Sequence, residues 1–127
     1  MDFVIASTKE KGYVETLWGR RRYIPAIHEK NRSLYEEACR VAINTVAQGT
    51  AADIMKLGML AVDKILQEQF PHASLLLQIH DEIITSAPKE QIKEIEQIVK
   101  TTLEAVVQWN VPLVVETGSG INWKQIT

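Results

Sequence analysis

Ser74-Leu75-Leu76-Leu77-Gln78-Ile79-His80-Asp81-Glu82-Ile83-Ile84-Thr85-Ser86-Ala87 sets three polar residues between two apolar runs, with no room for a longer loop. Apolar, β-prone runs that meet at a short polar break form a hairpin. The stretch is expected to be a tight antiparallel hairpin with His80-Asp81-Glu82 at its turn. Phe70-Pro71 ends whatever helix precedes it, and Ile54, Leu57, Ala61 and Ile65 recur at i, i+3, i+7 and i+11. That spacing predicts a core-facing helix up to Gln67-Glu68-Gln69. Thr50 with Asp53 three residues later reads as its capping box, and Ser33 with Glu36 as that of an earlier helix reaching about Val46.

Further out, Gly12 to Trp18 and Arg21 to Pro25 are short β-rich runs around Gly19, expected to form a second hairpin. Met1 to Lys11 reads as the last turns of a helix closed by Gly12, so the chain is expected to begin inside an element. On the other side, Pro88 suits the first turn of a helix whose Ile92, Ile95, Val99, Leu103 and Val106 share a face. Val111 to Glu116 is expected as a final strand, before Gly118, Gly120 and a tail with Trp123. No repeat or low-complexity linker interrupts the chain. The expectation is one α+β domain over residues 1–127, antiparallel β-hairpins packed with helices.

Composition agrees with a globular chain. The 127 residues are 46% hydrophobic and 24% charged, which excludes disordered, collagenous and disulfide-dense classes. Mean hydropathy is -0.08. No apolar run is long enough to span a bilayer and no leader pattern opens the chain, so a cytoplasmic setting and no membrane partner are expected. Cys39 is the single cysteine, and with His28, His72 and His80 it makes no zinc-ligand spacing. Net charge is -2, but all five arginines (Arg20, Arg21, Arg22, Arg32, Arg40) precede residue 41. The Arg20 to Arg22 run suits either a solvated surface or contact with phosphate.

Two constellations could carry chemistry. Two acids and a histidine at the tip of an apolar hairpin need water, a cation or a polar partner. Asp81 is the leading metal-ligand candidate and Glu82 the second, because neighbouring strand residues ordinarily face opposite sides. A solvent-facing polar turn explains the same three residues. Gln78 shares a strand face with His80 by alternation, and His80 could contact a substrate oxygen or simply bond within the fold. The second constellation is Arg40, Asn44 and Gln48, spaced four apart. On a helix they form one polar stripe roughly 12 Å long, which covers about three to four stacked base pairs. Every base pair offers minor-groove acceptors at purine N3 and pyrimidine O2, so such a stripe could sense pair geometry without reading sequence. A solvated helix face is the alternative. Asp53 is explained as capping and Asp63 as a mid-helix solvent residue.

Together these segments resemble the C-terminal part of family A, DNA polymerase I-type, DNA polymerases. Gly12 to Pro25 is similar to the family's stretch after the fingers helix. Ala42-Ile43-Asn44-Thr45 with Gln48 to Ile54 resembles its minor-groove helix region, and Leu77 to Glu82 its motif C. Gly118-Ser119-Gly120-Ile121-Asn122-Trp123 resembles its near-terminal Gly-x-Gly-x-Asn-Trp. Four motifs in the right order make coincidence improbable.

The resemblance implies a palm-subdomain segment of an enzyme that adds deoxynucleotides to a primer on a DNA template, in replication and repair. Asp81 would bind the catalytic Mg²⁺ ions, Glu82 would support them and His80 would lie near the primer terminus. Arg40, Asn44 and Gln48 match the minor-groove positions, with Gln78 and Arg20 to Arg22 as further DNA contacts; primer-template DNA and a deoxynucleoside triphosphate are the implied partners. Departures are Cys39 where glutamate is common, Val46-Ala47 where proline usually occurs, and Tyr35-Glu36 where some relatives are basic. The last implies weaker contact with template phosphates. The family's second aspartate, on an upstream Asp-Tyr-Ser-Gln-x-Glu strand, and its fingers helix are not in these 127 residues. The expectation is therefore that the chain alone does not polymerise. A non-catalytic nucleic-acid-binding module and a self-associating dimer remain the rival classes.

Overall fold

The computed structural model describes residues 2–126. They form two compact units, Met1–Asp53 and Ile54–Thr127, each with a buried apolar cluster.

In the first unit, helix α1 (Asp2–Lys11) closes at Gly12, whose amide donates to the Thr8 carbonyl at 2.8 Å. This is the expected helix end; Met1 lies outside the described residues. Strands β1 (Tyr13–Glu15) and β2 (Arg21–Tyr23) then pair antiparallel, Val14 opposite Arg22 and Glu15 opposite Arg21. A 3₁₀ turn, Pro25–His28, leads toward helix α2 (Arg32–Gln69). Val14, Ile24, Ile27, Ala38 and Ala42 make the core, with Val4, Tyr35 and Val41 packed against it. Lys9 lies 4.5 Å from the Tyr35 ring centre, and its ammonium is pushed above its ordinary range by hydrogen bonding to Tyr35.

Helix α2 differs from the expectation in two respects. Its cap is Asn31, not Ser33: Asn31 Oδ1 accepts from the Ser33 amide at 3.0 Å, as the residue just before the first helical position should. And no new helix starts at Thr50; α2 is continuous for 38 residues. The residues that read as a second capping box are used sideways instead. Thr50 Oγ1 accepts from the Leu17 amide and Asp53 Oδ1 from the Arg20 guanidinium.

In the second unit Val62, Leu66, Phe70, Ala73, Ile95 and Val99 form the core. The buried face of α2 here is Gly58, Val62 and Leu66, one position on from the expected one, and Leu57 stays 38% exposed. Gly58 explains the shift. A Cβ there would lie 2.7 Å from Leu103 Cδ2, so the glycine admits a close approach of helix α3 (Ile92–Glu104). Strands β3 (Ser74–Ile79) and β4 (Glu82–Ser86) form the expected hairpin, with a register irregularity at Leu76. Pro88 precedes a 3₁₀ turn, Lys89–Gln91, rather than sitting in the first turn of α3, whose Ile95 and Val99 are buried as expected.

The expected strand at Val111 to Glu116 does not form among the described residues. Two side-chain bonds tie the region to α3 instead: the Val115 amide to Glu104 Oε1 at 3.0 Å and Thr117 Oγ1 to Glu96 Oε1 at 2.6 Å. A strand needs a ladder partner, and β-prone composition does not supply one. No described helix is long and apolar enough to cross a membrane.

Candidate nucleic-acid interface and acidic hairpin tip

The first unit contains an open cleft of about 560 Å³ lined by residues of the β1–β2 hairpin and of α2, among them Arg22, Asn44, Thr45 and Gln48. Asn44 and Gln48 are one turn apart and exposed. The structure thus joins two sequence-predicted groups, the arginine run and two members of the polar stripe. Arg40, the third member, is exposed on α2 one turn earlier and is not among the cleft-lining residues.

The three consecutive arginines have different surroundings. Arg20 Nε donates to Asp53 Oδ1 at 2.9 Å and its Nη2 to the Gly49 carbonyl at 2.9 Å. Arg21 donates to Glu15 Oε1 at 2.8 Å and lies 4.6 Å from the Tyr13 ring centre. The bond to Glu15, with Tyr13 adding to it, holds the Arg21 guanidinium above its ordinary range. Arg22 Nη1 reaches Thr45 Oγ1 at 3.2 Å and forms no ion pair among the described residues. Strand pairing alone does not predict this division. It follows from what each side chain meets: Asp53 and the Gly49 carbonyl for Arg20, Glu15 for Arg21 and Thr45 for Arg22.

Gly49 permits the close seat of the hairpin loop on α2. A Cβ at this position would fall 2.6 Å from Thr16 Cγ2. Residue order does not mark Thr16, Thr45 and Gly49 as parts of this cleft, nor Asp53 as the partner of Arg20 beside it. A lone glycine inside a helical pattern, which marks a close approach, was the available signal for Gly49.

In the second unit Ile79 pairs with Glu82, so the turn itself is the two residues His80-Asp81 and Glu82 opens β4. This narrows the expected three-residue tip. His80 has φ 51, the left-handed region that a non-glycine residue occupies at a cost of about 1 kcal/mol or more. Gln78 Nε2 donates to the His80 carbonyl and braces the turn. His80, Asp81 and Glu82 are all exposed. The carboxylates of Asp81 and Glu82 are hard oxygen donors, a type that suits Mg²⁺, an ion that retains waters and takes one or two carboxylates. Among the described residues no group of three or more His, Cys, Asp or Glu side chains could hold a metal ion.

A sequence profile for DNA polymerase family A matches residues 1–125. The chain belongs to DNA polymerase family A. It is 42% identical to DNA polymerase I of Streptococcus pneumoniae over 123 residues, which is 97% of this chain and 14% of that protein. The match to DNA polymerase I of Deinococcus radiodurans is 48% over 112 residues, 88% of this chain and 12% of that one. Among solved structures, the POL domain of Pol1 from M. smegmatis, in complex with DNA primer-template and dNTP, superposes with a TM-score of 0.91 at 35% identity. That superposition covers 98% of this family A chain and 22% of the neighbour. The mixed helix and antiparallel-hairpin class read from sequence agrees with it. The chain spans about one seventh of the length of these curated relatives, 14% for the Streptococcus protein.

Proposed function

We propose that this chain supplies part of the palm of a DNA-directed DNA polymerase acting in replication and repair in the bacterial cytoplasm. In this reading Asp81, supported by Glu82, would hold Mg²⁺, and His80 would lie near the primer terminus. When bound there, Mg²⁺ supplies Lewis-acid stabilisation of the attacking and leaving oxygens. Arg40, Asn44 and Gln48 donate to minor-groove acceptors, which lie in equivalent places on every correct base pair. Arg21, Arg22 and Gln78 add backbone or near-terminus contacts. One observation supports the reading most: in a family A chain, a two-residue turn braced by Gln78 leaves the consecutive residues Asp81 and Glu82 exposed. The neighbour's complex with primer-template and dNTP agrees with these partners.

The site is shared in this account, since two-metal transfer needs carboxylates on both sides of the ions. The 127 residues alone are therefore inactive. The test is a chimaera in which this chain replaces the matching segment of the Streptococcus polymerase. Template-directed primer extension by the chimaera, and its loss in Asp81→Asn, is the expected result; an Asp81→Asn chimaera with undiminished kcat would refute the assignment. Exposed Leu60, Leu76, Val114 and Ile121 favour a second reading, self-association of the chain, which light scattering showing a monomer at high concentration would exclude.

A further inference from the structure

Arg20 holds the hairpin loop and α2 together through both its ends. Its guanidinium spans one helical turn, from the Gly49 carbonyl to the Asp53 carboxylate, at 2.9 Å each. Its backbone amide donates to Thr16 Oγ1 at 3.2 Å, and its carbonyl accepts from the Thr16 amide at 3.0 Å. Thr16 in turn sits over Gly49, and the next residue, Leu17, donates to Thr50. A planar guanidinium suits this task because its donors diverge at fixed angles, which an ammonium cannot copy. Two residues later, across one wall of the cleft, Arg22 meets Thr45, whose hydroxyl is itself fixed by donating to the Val41 carbonyl at 2.7 Å.

We infer that Arg20 is a positioning residue of the DNA-binding cleft and not a phosphate contact: with Asp53 and Gly49 it clamps the β1–β2 loop to α2, and so fixes the place of Arg22 on β2 relative to Asn44 and Gln48 on α2. The inference rests on the proposed function for the identity of the ligand, but the clamp itself does not. Arg20 is the arginine of the run whose charge is already answered by a largely covered carboxylate, Asp53 having only 11% of its side chain exposed. Arg22 keeps its charge for the ligand. Loosening the loop leaves the ligand to order these side chains on binding, a cost of about 2- to 10-fold in affinity.

The experiment uses the 127-residue chain and its variants Arg20→Gln, Arg20→Lys, Asp53→Asn and Arg22→Gln. Amide exchange is read without DNA, and affinity for a primer-template duplex is read across a salt series. Exchange at Leu17 and Arg20 should quicken by about 10-fold or more in Arg20→Gln, Arg20→Lys and Asp53→Asn, and stay unchanged in Arg22→Gln. Affinity should fall in Arg20→Lys as it does in Arg20→Gln, with the slope of log K against log salt unchanged; Arg22→Gln should flatten that slope by about 0.9. Unchanged exchange in the Arg20 variants overturns the clamp. So does a wild-type affinity in Arg20→Lys paired with a flattened slope in Arg20→Gln, because charge alone would then be what counts. If the wild-type chain binds no DNA, the DNA contacts under the proposed function fail, and the exchange result alone decides the clamp.

Discussion

The cleft and the hairpin tip carry polar residues of similar kinds and treat them oppositely. At the cleft, Arg20 is bonded to a carboxylate and a helix carbonyl, Arg21 to Glu15, and Arg22 to a threonine. At the tip, His80, Asp81 and Glu82 are exposed, and the one side-chain bond there among the described residues, from Gln78, ends on the His80 carbonyl. Reading the shape of a duplex rewards donors fixed in advance. Sharing an ion rewards accessible carboxylates that can adopt the ion's own geometry. The contrast therefore separates residues that cost stability when changed from residues that cost only activity.

The largest effect should come from the tip and leave the fold intact. Asp81→Asn in the Streptococcus chimaera is expected to lower primer-extension kcat by about 10²–10³-fold, the several kcal/mol that a metal ligand commands. Its melting temperature should stay at the wild-type value, and a marked drop would break the contrast. The cleft should show the reverse. Gly49→Ala gains about 1 kcal/mol of helix propensity but forces Thr16 off its seat at about 1–3 kcal/mol, so net destabilisation by up to about 2 kcal/mol is expected in urea unfolding. Gly58→Ala clashes with the flexible end of Leu103, touches Val106 Cγ2 at an ordinary 3.8 Å, and should fall within about 1 kcal/mol of wild type.

Smaller still is the strain at the tip. His80→Gly frees a φ of 51 and should stabilise the chain by about 0.5–1 kcal/mol in the same unfolding assay, after glycine's own backbone entropy is subtracted. At the bottom, Arg32→Ala removes an exposed helical pair with Glu36, 91% and 48% exposed, and should change stability by less than about 0.5 kcal/mol. Arg32 is the control for Arg20: both hold a carboxylate, but only Arg20 also bonds a helix carbonyl across the loop.

Much of this was legible in residue order. The hairpin at Ser74 to Ser86, the Gly12 helix end, and Ile95 and Val99 on the buried face of α3 follow from local pattern, because each depends on neighbours in sequence. The failures share a cause in tertiary contact. Thr50 and Asp53 imitate a helix start, yet their oxygens bond Leu17 and Arg20, 33 residues away. Val111 to Glu116 has strand composition without a ladder partner. The α2 face moved by one position because Gly58, invisible to an apolar count, admits Leu103. At the site, the exposed acids and the 40/44/48 spacing were readable in advance. The different partners of Arg20, Arg21 and Arg22 were not, since they are set by groups brought in from other elements: Asp53, Gly49 and Thr45 from α2, and Glu15 from β1.

Primer extension by the purified 127-residue chain, on a recessed primer-template with all four deoxynucleoside triphosphates and Mg²⁺, tests the central claim that the chain holds one share of a divided metal site. The account predicts no extension at any Mg²⁺ concentration. Template-directed extension that disappears in Asp81→Ala would contradict it, by showing that these residues complete the site unaided.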